Sequence, residues 1–138
     1  MSLAKQYARI FGVIILAIGI LGFVPGISTG YAGSGLLLGV FAINPMHNVI
    51  HILTGLVALF AGFYAGAAYA RLYALVFGVV YALITVVGFT QLLFVNGDLL
   101  GFVQINTADN FLHLAIAVLA LGVYALSIPA PRTAAPAS

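Results

Sequence analysis

Four long apolar stretches, roughly Gln6–Val24, Met46–Gly66, Arg71–Val95 and Ala108–Ile128, leave this chain no way to fold in water. Each holds about 20 residues, and a helix rising about 1.5 Å per residue then spans a hydrocarbon core of about 30 Å. Backbone groups in lipid must bond within their own segment or close into a barrel. Barrel strands alternate apolar and polar positions, and these runs do not alternate. The expectation is an all-α, polytopic bundle of four transmembrane helices. Composition agrees: with 64% hydrophobic and 4% charged residues, the chain lacks the ions to coat a soluble domain.

The few charges set the expected direction of insertion. Lys5 and Arg9 lie at the start of span one, Arg71 falls between spans two and three, and Arg132 follows span four. The two longer connections, 25–45 and 96–107, carry no base. The positive-inside rule places both termini in the cytoplasm and both connections outside. Span one also has the outline of a secretory signal, with bases, an apolar stretch and then "PGISTGYAG". The tail "PAPRTAAPAS" has no apolar face and reads as a disordered cytoplasmic extension, 129–138. A net charge of +2 with no basic cluster gives no footprint for nucleic acid.

Sliding the sequence by 62 residues without a gap superposes it on itself. "YAR" at 7–9 meets "YAR" at 69–71, and "GLLLGVFAIN" at 35–44 meets "GDLLGFVQIN" at 97–106. Asn48 meets Asn110 and His51 meets His113. Arginine, asparagine and histidine are rare here, so hydrophobic bias does not explain the match. The chain therefore reads as one domain, 1–128, built from two tandem helical hairpins, 1–62 and 63–128. Each hairpin crosses twice, so the copies insert alike, related by a pseudo-two-fold axis along the membrane normal. The match also makes span one the counterpart of span three, which argues against its removal as a signal.

The repeated polar phrase carries the candidate site. Asn44, followed by Pro45, has the form of a helix N-cap, as does Asn106 with Asp109 three residues on. Asn48 and His51 share a helix face with Asn44, and Asn110 and His113 with Asn106, at spacings i, i+4, i+7. Each histidine then lies roughly 10 Å below its cap, inside the hydrocarbon, where a polar side chain turns inward to a partner. Interhelical hydrogen bonding, worth about 0.6–2 kcal/mol, is the plain alternative to a ligand site. His47 and Asp109 occupy the same position in the two copies and are expected to pair across the axis. Elsewhere Gly22 and Gly26, and Ala58, Gly62 and Gly66, have small-residue packing spacings. Tyr7, Tyr69, Tyr73 and Tyr124 suit a boundary belt, and Thr90 and Gln91 stand within reach of the Asn/His face.

"LLGVFAINPMHNVIHILTG" and its echo "LLGFVQINTADNFLHLAIA" resemble a bacterial family of small four-helix membrane proteins known only as a domain of unknown function. The resemblance spans about residues 5–128. It implies a multi-pass protein of the bacterial inner or plasma membrane and no particular activity.

Function is expected to lie in binding rather than catalysis. There is no Ser/His/Asp set, no HExxH and no phosphate-binding glycine loop, and the lack of cysteine removes thiolate chemistry. The first reading is a non-catalytic binding or assembly subunit, partnered by lipid and by a homo-oligomer or membrane complex. The second is a b-type haem carrier ligated by His51 and His113. Transport or proton conduction is the third. No metal site is nominated by spacing alone.

Overall fold

The computed structural model describes residues 1–128, so the tail and Arg132 lie outside the described residues. Four helices, each long and apolar enough to cross a membrane, make a bundle: α1 (Leu3–Leu21), α2 (Pro45–Phe63), α3 (Ala67–Thr90) and α4 (Thr107–Leu126). Two small antiparallel hairpins are added in the connections: β1 (Gly35–Leu37) with β2 (Phe41–Ile43), and β3 (Phe94–Val95) with β4 (Asp98–Leu99). The β1–β2 pairing gives the apolar segment 36–43 bonds for its backbone, whereas β3–β4 reaches only Leu99 of segment 99–105, which bonds through Leu99 with Val103 and Leu100 with Leu93. Leu38–Gly39 and Asn96–Gly97 turn the two hairpins with positive φ at both positions, as tight hairpin turns require.

Helices α1 and α2 pack as one hairpin and α3 and α4 as another. Between hairpins, α1 and α3 meet across the short diagonal through Ala4, Ala8, Ala70 and Ala74, all at most 1% exposed. Helices α2 and α4 therefore stand on the long diagonal, and the room between them falls at the bundle centre. The backbones of spans two and four stand apart along the axis, and side chains bridge them.

Buried positions recur between the two hairpins, with one change from the ungapped match. Buried positions of α2 and α4 coincide at a spacing of 62: His47 with Asp109, Asn48 with Asn110, His51 with His113, Ala58 with Ala120. Buried positions of α1 and α3 coincide at 66: Ala4 with Ala70, Tyr7 with Tyr73, Gly12 with Gly78, Ile15 with Tyr81. The second hairpin is thus four residues shorter between the matched positions of its first helix and those of its second. The "YAR" match lies one helical turn out of structural register. The two arginines nonetheless do similar work at their own depths. Arg9 Nε donates to the Gly62 carbonyl at 2.9 Å, and Arg71 donates to the Ser127 carbonyl at 3.4 Å. Each cation thereby meets the carbonyl end of the returning helix, where the helix dipole favours it.

Other expectations change too. Arg71 sits within α3, because residues 64–66 alone make the turn and Gly66 is the N-cap. Gly22 and Gly26 form no helical stripe, since α1 ends at Leu21 and Gly26 has φ +87°. Tyr7 and Tyr73 are buried in an aromatic column with Phe11, Phe77 and Tyr81, ring centroids 4.3–6.4 Å apart. Tyr69 is exposed.

Candidate functional site

Both connections lie at the same end of the bundle, and each ties down the opposite repeat. The N-cap side chain of Asn44 accepts from His47 N–H at 2.9 Å, and its Nδ2 donates to the Phe102 carbonyl at 2.9 Å. Asn106 repeats this, accepting from Asp109 N–H at 3.0 Å and donating to the Val40 carbonyl at 2.8 Å. Phe102 and Val40 are themselves 62 residues apart, so the two bonds are symmetry mates. One carboxamide serves as cap and as bridge.

At the next position the symmetry is chemical rather than literal. Asp109 Oδ2 accepts from Asn106 N–H at 2.8 Å, closing a capping box, and from Ala42 N–H at 3.0 Å. The His47 ring meets the Gln104 carbonyl through Nδ1 at 2.7 Å. A carbonyl only accepts, so Nδ1 carries the proton and the lone pair of the neutral ring is on Nε2. His47 and Asp109 thus each hold the opposite connection and do not hydrogen-bond one another.

Below them stand Asn48 and Asn110, fully or nearly fully buried. Asn48 Nδ2 donates to the Gly33 carbonyl at 2.9 Å. Its oxygen packs on Gly22, and that of Asn110 packs on Gly88, at positions where any Cβ would collide. The missing side chains at Gly22 and Gly88 make room for these carboxamides. Neither oxygen has a hydrogen-bond partner among the described residues. Thr90 and Gln91 do not reach this face: they donate to the Val86 and Gly88 carbonyls of their own helix.

His51 and His113 project into the room on the long diagonal, 8% and 4% exposed. The structure brings His47 to them. One ring nitrogen from each of the three histidines lies within 4.8 Å of the other two. The His47 ring centroid is 4.5 Å from that of His51 and 6.2 Å from that of His113. Nδ1 of His51 and of His113 is buried without a hydrogen-bond partner among the described residues.

Two cavities flank this centre, and His51 and His113 line both. One, of about 370 Å³, lies between α2 and α3 and is closed by residues 99–105, with His47, Thr54 and Tyr81 on its wall. The other, of about 260 Å³, lies between α1 and α4 and is closed by residues 37–43, with Asp109 on its wall. Their linings correspond: Ile50 to Leu112, Thr54 to Ile116, Leu99 to Leu37, Val103 to Phe41, Ile105 to Ile43. The walls are otherwise apolar and end at side chains exposed on the bundle exterior, Val80 and Leu100 on one side, Ile14 and Leu38 on the other. Such a space suits an apolar molecule entering from acyl chains. Spacing alone could have joined His47 to His51, an i, i+4 pair. The contribution of Tyr81, whose ring is 5.4 Å from that of His113, had no sequence signal.

These features define a multi-pass membrane protein made of two packed helical hairpins with a polar centre at its loop end. The chain belongs to the family described as Domain of unknown function (DUF4383), whose model matches residues 5–126. No curated protein and no solved structure matches it.

Proposed function

We propose that the protein is a non-catalytic binding protein of the membrane, and that its ligand site is the centre formed by His47, His51 and His113 with Asn48, Asn110 and the two flanking cavities. One observation carries this reading: two buried imidazoles, each with a ring nitrogen lacking a hydrogen-bond partner among the described residues, line the cavities on both sides of the centre. A buried polar atom without a partner costs about 1–3 kcal/mol, and structural glue alone would have satisfied it. The apolar walls select for an amphiphilic or lipid-soluble guest. Nothing at the centre supplies an activated nucleophile, which favours binding over turnover.

The loop end faces away from the cytoplasm in this reading, because Lys5, Arg9 and Arg71 all belong to the opposite end. Native mass spectrometry of the protein released from lipid nanodiscs tests the site. A small-molecule adduct retained by the wild type and lost in His51→Ala and His113→Ala is expected. An adduct-free wild type, or adducts indifferent to both substitutions, would defeat the proposal. A b-type haem between His51 and His113 is a second reading, favoured by their equivalent positions on α2 and α4.

A further inference from the structure

We infer that His47, His51 and His113 form a three-nitrogen site for a divalent first-row transition cation, with zinc as the reference ion. The inference rests on the binding reading above and names the ligand class of that centre. Three imidazole nitrogens already lie within 4.8 Å of one another. Around a tetrahedral Zn²⁺ with bonds of about 2.0–2.1 Å, ligand nitrogens stand roughly 3.3 Å apart. The rings therefore need to close by about 1.5 Å, within the reach of small side-chain rotations.

Three independent features point to a cation. The Gln104 carbonyl holds His47 through Nδ1 and leaves Nε2 as the lone pair. A backbone carbonyl on the non-ligating nitrogen is the usual way a protein orients a metal-binding imidazole. The unpartnered nitrogens of His51 and His113 are the second feature, since a metal removes the cost of an orphaned buried nitrogen. Asp109 is the third: its carboxylate shares a cavity wall with His51 and His113, offsetting part of a dication's charge in lipid.

An all-imidazole donor set suits Zn²⁺, Cu²⁺, Ni²⁺ or Co²⁺ and not the oxygen-seeking Mg²⁺ or Ca²⁺. The third histidine also favours a bare cation over haem. A haem iron takes its two imidazoles on opposite faces, and a third close to both would stand where the macrocycle must lie. All three histidines line the 370 Å³ cavity, which leaves room beside them for a fourth ligand.

The test uses the full chain in lipid nanodiscs, dialysed to equilibrium against Zn²⁺ and separately Co²⁺. One Zn²⁺ per chain is expected by mass-spectrometric metal analysis, with affinity at least tenfold lower in each of His47→Ala, His51→Ala and His113→Ala. Tyr31→Ala, at an exposed loop position, should bind as the wild type does. The Co²⁺ form of the wild type should show the intense visible bands of four-coordinate nitrogen ligation, a readout that needs no variant to fold. No bound Zn²⁺, only the weak spectrum of six-coordinate Co²⁺, or full binding by folded His47→Ala would each overturn the site. So would a haem Soret band that depends on His51 and His113 but not on His47. An organic adduct lost with His51 in a wild type that takes up no metal would overturn the cation alone and leave the binding reading standing.

Discussion

His47 and Asp109 hold equivalent places in the two repeats yet grip the opposite connection with inverted bonds. His47 donates to the Gln104 carbonyl, and Asp109 accepts from the Ala42 amide. Gln104 and Ala42 are equivalent in turn. The two connections are thus clasped at matching positions by different chemistry, and the difference brings the third imidazole to the centre. Full two-fold symmetry would have given four histidines or two.

Removing the acidic half of the clasp should loosen the bundle at its loop end. Asp109→Ala forfeits bonds to two backbone amides, Asn106 and Ala42, leaving both donors short of a partner. A loss of about 2–4 kcal/mol is expected in reversible unfolding in bicelles. His47 and Asp109 share no hydrogen bond but belong to one clasp, so a double-mutant cycle should show coupling at the low end of about 0.5–3 kcal/mol. Coupling at the upper end would mean a direct ion pair.

Gly22 and Gly88 should resist even alanine. A Cβ on Gly88 would enter the Asn110 carboxamide, and one on Gly22 would enter that of Asn48. Overpacking of this kind costs about 1–3 kcal/mol. Asn110→Ala should relieve Gly88→Ala, so the double variant should be more stable than the sum of the singles predicts. Plain additivity in thermal unfolding would contradict the packing.

These two glycines also mark what the sequence could and could not convey. The four spans, their hairpin pairing and the Asn-Pro cap at 44–45 were readable, because span length and capping chemistry are local. The rotation and depth of α1 against α3 were not. Helices apolar all round have little amphipathic stripe to orient them, and glycine contacts decide the register instead. The "YAR" match therefore suggested a spacing of 62 where the buried faces agree at 66. The small hairpins were hidden by their apolar residues, although Asn96–Gly97 is a strong turn signal. His47 was separated from the cluster by its apparent partnership with Asp109, since only coordinates show which way its ring points.

Arg9 should matter for more than its charge. Its Nε bonds the Gly62 carbonyl, and its guanidinium lies 4.4 Å from the Phe63 ring centroid. Arg9→Ala should cost about 1–2 kcal/mol. Arg9→Lys should recover less than half of that, because an ammonium does not combine the directed bond with stacking. Equal stability of the lysine variant would reduce the contact to simple charge.

The parallel arrangement of the repeats is open to labelling, since the chain has no cysteine. Tyr31→Cys and Asn96→Cys, one in each connection, should react with an impermeant maleimide from the same side of sealed vesicles. Tyr64→Cys, exposed in the turn between α2 and α3, should react only from the other side. Labelling of Tyr31→Cys and Asn96→Cys from opposite sides would refute the shared loop end.

The central claim is that three imidazoles from α2 and α4 share one buried centre. The chain contains three histidines in all, so selective labelling isolates them without other variants. Magic-angle-spinning NMR of histidine-labelled protein in liposomes, read through space between ring carbons and nitrogens, measures their proximity directly. The account predicts inter-residue cross-peaks linking all three rings. Three isolated spin systems, or one ring alone in contact with lipid acyl protons, would contradict it.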